Sequence, residues 1–300
     1  MRNSLYSLLV FLVLIPSNAY ASDLVTIRND SVLVKCDYMG RTSMGTGVLL
    51  TRDNKTYVLT AYHVVDNAIK AKKEKKLFAV TVIKEHYDSR NLKVGSTELG
   101  TSVIAYDAEI DVAILKIRGN PNFKINTKFY LDKKIYPLGS KIVHVGCPQG
   151  TALPMSLFFG RITYLGRKIP FSTKVKDQVN FQPIGGCSGG GVFIGKDNKC
   201  IGIVVIVAFK QGLIVPIRQI LTWAKGNQLY HLFDPKAKTP PAKVKKKTLK
   251  KILGPEMFDD LFKKPKNKKK SLQRRKPNGY KKGDLRKNKK KSLKPRSRLH

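Results

Sequence analysis

The sequence predicts an all-β protein of two packed antiparallel β-barrels with a short C-terminal helix, followed by a disordered, Lys/Arg-rich basic tail. Three observations predict it. From Ser31 onward, short apolar stretches are separated by polar turn signals at the spacing of antiparallel strands. They fall into two groups of about six, split by the stretch from Gly119 to Pro137, and six short strands are enough to close a barrel. Charge is distributed unevenly: the 300 residues hold 58 Lys and Arg against 20 Asp and Glu, a net +38. Residues 235–300 alone hold 27 basic residues and four acids, a net +23, with few branched apolar side chains to offset the entropy of ordering. A uniformly basic globule is excluded. So is a multi-span membrane protein, because the single long apolar run lies at the N-terminus.

That run, Leu5 to Ile15, follows Arg2 and precedes Pro16 and the small-residue motif Ala19-Tyr20-Ala21. A basic start, about 11 apolar residues and an A-x-A site describe a secretory signal peptide over residues 1–21, with the mature chain starting at Ser22. A bilayer span needs about 20 apolar residues. The expected location is therefore secreted, or the periplasm or cell envelope. Export would put Cys36, Cys147, Cys187 and Cys200 in an oxidising compartment, where three pairings are open. Their spacing contains no C-x-x-C pair, so no zinc site is expected, nor any other metal or cofactor.

The first group of strands reads SVLVKCDY, GTGVLLT, TYVLTAYH, LFAVTVI, TSVIAYD and DVAILKI. The second reads KIVHVGC, SLFFGRITYLG, QVNFQPI, GVFIG, CIGIVVIVAF and GLIVPI. After Pro216, the spacing of Ile217, Ile220, Leu221 and Ala224 predicts a helix that Gly226 stops and that seals the second barrel. Beyond Asp234 come runs such as KVKKK and KKPKNKKK, the signature of a linker and tail. Within the tail, residues 255–262 (PEMFDDLF) suit one or two helical turns, or a fluctuating segment.

Three short segments carry chemistry. Thr60-Ala61-Tyr62-His63-Val64-Val65 puts a histidine at the end of an apolar strand. In Glu109-Ile110-Asp111-Val112-Ala113-Ile114-Leu115, Asp111 opens a strand. Gly185-Gly186-Cys187-Ser188-Gly189-Gly190-Gly191 sets a serine among glycines, with no helix-forming stretch after it of the kind a phosphate loop requires. Taken singly, these would read as a structural histidine, a strand-end cap and a plain turn. Together, in the order His, Asp, Ser, they resemble the chymotrypsin-like serine proteases, over a span from about Val32 to Ala224. The resemblance is closest to the HtrA-type trypsin-like branch, whose motifs are similar to TAYHVV, YDAEIDVAILKI, GLIVPI and the turn Gly146-Cys147-Pro148-Gln149-Gly150.

The resemblance implies a trypsin-like serine protease domain over residues 22–234 and a serine endopeptidase acting on protein or peptide substrates. A serine hydroxyl is a weak nucleophile that needs an adjacent base. His63 would be that base, Asp111 would orient it and stabilise its cation, and Ser188 would attack the carbonyl. The backbone N–H groups of Gly186 and Ser188 would form the oxyanion hole, and a side chain at position 186 would disturb that turn. Cys187 stands where zymogen-activated relatives carry an aspartate, so activation by an N-terminal ion pair is not expected. It is also a rival nucleophile, as in viral cysteine proteases of this fold, but the G-C-S-G-G frame gives the nucleophile's place to Ser188. The specificity pocket falls near Gln182 and Val204, Val205, Ile206 and Val207; with no acid there, an apolar side chain before the cleaved bond is expected.

HtrA-type proteins usually carry a PDZ domain after the protease, and here a basic tail stands instead. The tail is expected to tether the enzyme to an anionic surface, a polyanion or nucleic acid. Two alternatives compete with this reading: a polyanion- or nucleic-acid-binding protein on an inactive protease scaffold, and a viral protease with an RNA-binding tail.

Overall fold

The computed structural model describes residues 18–169, 173–195, 197–208 and 211–241; the side chains of residues 18–22 and 206–208 fall outside that description. The run Leu5 to Ile15, most of the tail (242–300) and its 255–262 segment lie outside the described residues. Helix α1 (Asn18–Asn29) opens the described chain and contains the Ala19-Tyr20-Ala21 motif. Its Ile27 is buried, and the Ile27 carbonyl accepts a 2.8 Å bond from Ser31 Oγ where the first strand begins.

Six antiparallel strands close the first barrel: β1 (Ser31–Tyr38), β2 (Arg41–Arg52), β3 (Lys55–Thr60), β4 (Phe78–Tyr87), β5 (Lys93–Asp107) and β6 (Val112–Ile117), in the order β1-β2-β3-β6-β5-β4, with β1 also paired to β4. The second unit comprises β7 (Lys128–Phe129), β8 (Lys141–Gly146), β9 (Ser156–Arg167), β10 (Lys176–Val179), β11 (Gly191–Ile194), β12 (Lys199–Ala208) and β13 (Gln211–Pro216). Their order is β11-β8-β9-β10-β13-β12-β7, and a further β11–β12 pairing closes six of them into a second barrel. The expected two-barrel architecture is therefore present. Strand β7, two residues inside the Gly119–Pro137 stretch, runs parallel to β12 and departs from the antiparallel rule.

One apolar core fills the first barrel and continues between the barrels through Val143, Val145, Phe193, Ile203 and Val215. A smaller one, including Ile142, Ile162, Val192, Ile201 and Ile214, fills the second. Helix α3 (Ile217–Gly226) forms where the periodicity predicts it, burying Ile217, Ile220 and Ala224. It is anchored electrostatically as well. Arg218 donates from Nη1 and Nη2 to the two carboxylate oxygens of fully buried Asp177, each at 2.6 Å, and Tyr136 donates to the same carboxylate at 2.5 Å.

Helix α2 (Tyr62–Lys73) is a finding the strand reading lacks. The strand TYVLTAYH stops at Thr60, and the chain turns at Ala61 into a helix that buries Val64, Val65, Ala68, Ile69 and Ala71. Past the helical turn Tyr230–Leu232, folded structure extends beyond Asp234. Arg52 donates to the Pro235 carbonyl at 3.0 Å and also to the Ala237 carbonyl, and Thr239 Oγ1 donates to Asp53 at 2.8 Å, strapping residues 235–239 to the first barrel.

Candidate active site

His63 stands in the first turn of α2, at the mouth of the first barrel, with its side chain 44% exposed. Asp111, 18% exposed, precedes β6 in the turn that joins it to β5. That turn is shaped locally: the Asp107 carboxylate accepts the N–H groups of Glu109 at 2.9 Å and Ile110 at 3.2 Å. It delivers Asp111 with a left-handed φ of 65°, a conformation that costs a non-glycine residue roughly 1–2 kcal/mol and persists only where surroundings enforce it. The Asp111 carboxylate then meets His63 twice. Oδ2 lies 2.7 Å from the ring Nδ1, and Oδ1 accepts the His63 main-chain N–H at 2.9 Å. With both oxygens engaged, ring and carboxylate are fixed in a common geometry, and an Nδ1–H tautomer leaves Nε2 free as a base.

The serine loop reaches this point from the second barrel. Ser188 is half-buried; its carbonyl accepts the Thr46 N–H at 2.7 Å, and the next residue, Gly189, donates to the Val204 carbonyl of β12 at 2.7 Å. Gly189 has φ +85° and no room for a side chain: a Cβ would lie 2.2 Å from Thr46 O and 2.8 Å from the Ala61 nitrogen. This close approach brings the loop against the end of β3, two residues before His63. Ser188 Oγ makes no hydrogen bond to His63 or to any other group among the described residues.

The N–H groups of Gly186 and Ser188 have no hydrogen-bond acceptor among the described residues, whereas the Cys187 N–H between them is taken by Ile184 O at 3.0 Å. The Gly185 carbonyl accepts the Gln149 N–H at 2.7 Å. Because the peptide is planar and trans, this turns the Gly186 N–H the opposite way. Gly186 has φ +98°, and a Cβ there would lie 2.1 Å from Cys147 O.

Sequence reasoning missed the residue that organises this loop. Thr46, fully buried in β2, donates its hydroxyl to Gly186 O at 2.7 Å and accepts the Cys147 N–H at 2.9 Å. Its N–H goes to Ser188 O, and its carbonyl accepts Thr60 Oγ1 at 2.7 Å. Each polar group of one side chain and its peptide is thus committed to the serine loop, the Gly146–Gly150 turn or β3.

Cys187 points inward. Its thiol is buried and its pKa is pushed up by desolvation, which disfavours the thiolate a cysteine nucleophile needs. Of the expected pocket residues, Gln182 is exposed, while Val204 and Val205 are buried, the first in the second-barrel core and the second in the core between barrels. Their side chains pack into protein and do not face solvent. The side chains of Ile206 and Val207 lie outside the described residues. A cavity of about 690 Å³ lined by Tyr130, Tyr136, Ile142 and Phe193 includes none of His63, Asp111 and Ser188. Among the described residues, no three His, Cys, Asp or Glu side chains are arranged to hold a metal ion, and no helix is long and apolar enough to cross a membrane.

Residues 45–203 match the trypsin-like peptidase domain, a span that includes His63, Asp111 and Ser188. No curated protein sequence matches the chain. Among solved structures, Deg5 is similar at 19% identity with a TM-score of 0.54, covering 68% of this chain and 91% of that one. The HtrA-type protease AlgW with a tripeptide is similar at 20% identity and a TM-score of 0.54, over 71% of this chain and 64% of AlgW. A serine endoprotease from Yersinia pestis gives 18% and 0.53, over 72% of this chain and 68% of that one. At such identities the likeness is one of fold.

Proposed function

Because the chain belongs to the trypsin-like peptidase domain family, the serine endopeptidases, we propose that it cleaves peptide bonds through His63, Asp111 and Ser188. The observation that carries this reading is the double contact of Asp111 with the ring and the main-chain N–H of His63. In this mechanism His63 Nε2 takes the Ser188 proton as Oγ adds to the substrate carbonyl. The imidazolium is stabilised by the Asp111 carboxylate, which stays ionised. The oxyanion is met by the N–H groups of Gly186 and Ser188. His63 then returns the proton to the leaving amine, and a water, activated by the same base, hydrolyses the acyl-enzyme. Substrates with an apolar side chain before the cleaved bond are the class we propose, on the ground that neither the segment 182–188 nor the segment 204–207 holds an Asp or Glu to pair with Lys or Arg.

The test is labelling with a fluorophosphonate together with casein cleavage. Ser188→Ala should lose both and keep the fold, and Cys187→Ala should keep much of both; the reverse pattern refutes the serine assignment. We further propose that the chain is exported after cleavage following Ala21 and that its basic residues 235–300 tether the enzyme to a polyanion. Pure point charge gives binding that weakens steeply with salt, at a slope of roughly −0.9 per phosphate neutralised on duplex DNA. A chain ending at residue 241 should therefore elute from heparin at much lower salt with its peptidase rate retained. Equal elution refutes the tether.

A further inference from the structure

The triad chemistry makes no use of one ionisable side chain buried next to it. Lys176 opens β10 with its side chain 2% exposed. An ammonium so removed from water is costly unless it is bonded and paired. Its Nζ donates 2.7 Å to the Ile110 carbonyl, the oxygen of the peptide that enters Asp111. Burial pushes the Lys176 pKa down, and the carboxylates of Asp111 and then Asp107 oppose that push, so both are close enough to act on the charge. The peptide it grips is the one that needs gripping: Asp111 is left-handed, and Asp107 fixes only the N–H side of the turn.

The strand carrying Lys176 is itself anchored. The Val175 carbonyl accepts Gln219 Nε2 of α3 at 2.6 Å, and Asp177, pointing to the strand's other face, holds Arg218 and the Gly166 N–H at 2.8 Å. The charged groups around the ammonium are thus Asp111, with His63 beyond it, and Asp107, with the Asp177–Arg218 pair behind the strand. Glu109 and Lys174 pair with each other at 3.7 Å at the surface.

We propose that Lys176 is a positioning residue for the triad: reaching from the second barrel, its ammonium pins the Ile110–Asp111 peptide and sets a positive charge beside the Asp111 carboxylate that orients His63. The proposal rests on the triad reading above. Its electrical consequence has a definite sign. A fixed cation near the His63–Asp111 pair disfavours the imidazolium, so the native lysine holds the acid limb of the rate profile at lower pH than a neutral residue would.

The experiment uses the full chain and a peptide substrate, with fluorophosphonate titration to count competent sites. Lys176→Met should lower kcat per titrated site about tenfold or more, with KM little changed. It should also move the acid limb of kcat/KM up by roughly half a pH unit or more. Lys176→Arg, which keeps charge and donor, should return the limb toward its original position. If the methionine variant does not fold, Lys176→Gln retains a donor without the charge and reads the limb by itself. A lysine that only stabilises the fold would lower the melting temperature and the number of titrated sites while leaving kcat per site and the acid limb unchanged, and that result overturns the proposal. Failure of the triad reading is seen separately, as an unmodified protein that neither cleaves peptide nor takes the label.

Discussion

Replacing Gly186 by alanine tests how tightly the serine loop is built. The added methyl would sit 2.1 Å from Cys147 O and 2.9 Å from Gly150 N, where ordinary contact begins near 3.4 Å, so main-chain atoms must separate by about 1 Å. The opposing side has little freedom: Cys147 O accepts the Gly150 N–H at 2.8 Å, and Cys147 N donates to Thr46 Oγ1. The φ of +98° adds strain for any L-residue with a side chain. The serine loop is therefore what moves, and rotation of the Gly185–Gly186 peptide swings the Gly186 N–H away from the oxyanion. Loss of one such donor typically costs roughly 2.7–4 kcal/mol of transition-state stabilisation, a factor of about 10² to 10³ in kcat. The assay is kcat and KM on a peptide substrate, paired with a melting curve. The expected result is a large fall in kcat with KM nearly constant. A kcat within about threefold of the native enzyme would refute the assignment of Gly186 N–H as an oxyanion donor.

Three further outcomes are expected. Asp111→Asn keeps the shape but offers His63 the wrong hydrogen-bond pattern, and should lower kcat by about 10⁴ without unfolding the protein, measured by steady-state rates and circular dichroism. Arg218→Met leaves the Asp177 carboxylate buried without its countercharge, and should cost about 3–5 kcal/mol in urea unfolding, most of it recovered when Asp177→Asn is added. Burial pushes Asp30 from its ordinary value of 3.8 to about 6, so the fold favours its protonated form. Its contribution is complete below pH ~4 and is lost as pH rises through ~6, by up to about 3 kcal/mol. Asp30→Asn should remove that loss, which shows as a native-to-variant difference in unfolding free energy that changes between pH ~4 and ~7.

Most strands were readable because they alternate or run apolar between turn signals, whereas the two-residue β7 inside the Gly119–Pro137 gap, the polar first half of β5 (residues 93–100) and the true start of β10 at Lys176, two residues before the apolar stretch, were not. Helix α3 was readable because Pro216, the Ile217/Ile220/Ala224 stripe and Gly226 give a start, a face and a stop. Helix α2 gave no such cues. Its N-cap is Ala61, which offers no side-chain cap, and Tyr62, Val64 and Val65 continue the apolar texture of β3. The glycine-bounded serine and the His and Asp segments are local motifs, so they stood out. Thr46 and Lys176 could not, because each acts through contacts with residues distant in sequence. Thr46 bonds Gly186 across 140 residues and Cys147 across 101, and Lys176 reaches Ile110 across 66. Only closure of the two barrels creates those environments, and neither a threonine in a strand nor a lysine beside an aspartate announces them.

The four cysteines are all unpaired thiols, none more than 1% exposed. Desolvation raises the pKa of Cys147 to about 11 and of Cys200 to about 12, so in the closed molecule they hold almost no thiolate at neutral pH. An alkylating reagent can therefore report only on molecules that have opened. Because Cys36 lies in β1, Cys200 in β12, and Cys147 and Cys187 in the two loops joined by the Gln149–Gly185 hydrogen bond, the order in which they react would time the opening of each barrel and of the seam between them. The chain thus carries its own set of internal clocks, one for each barrel and two for the seam.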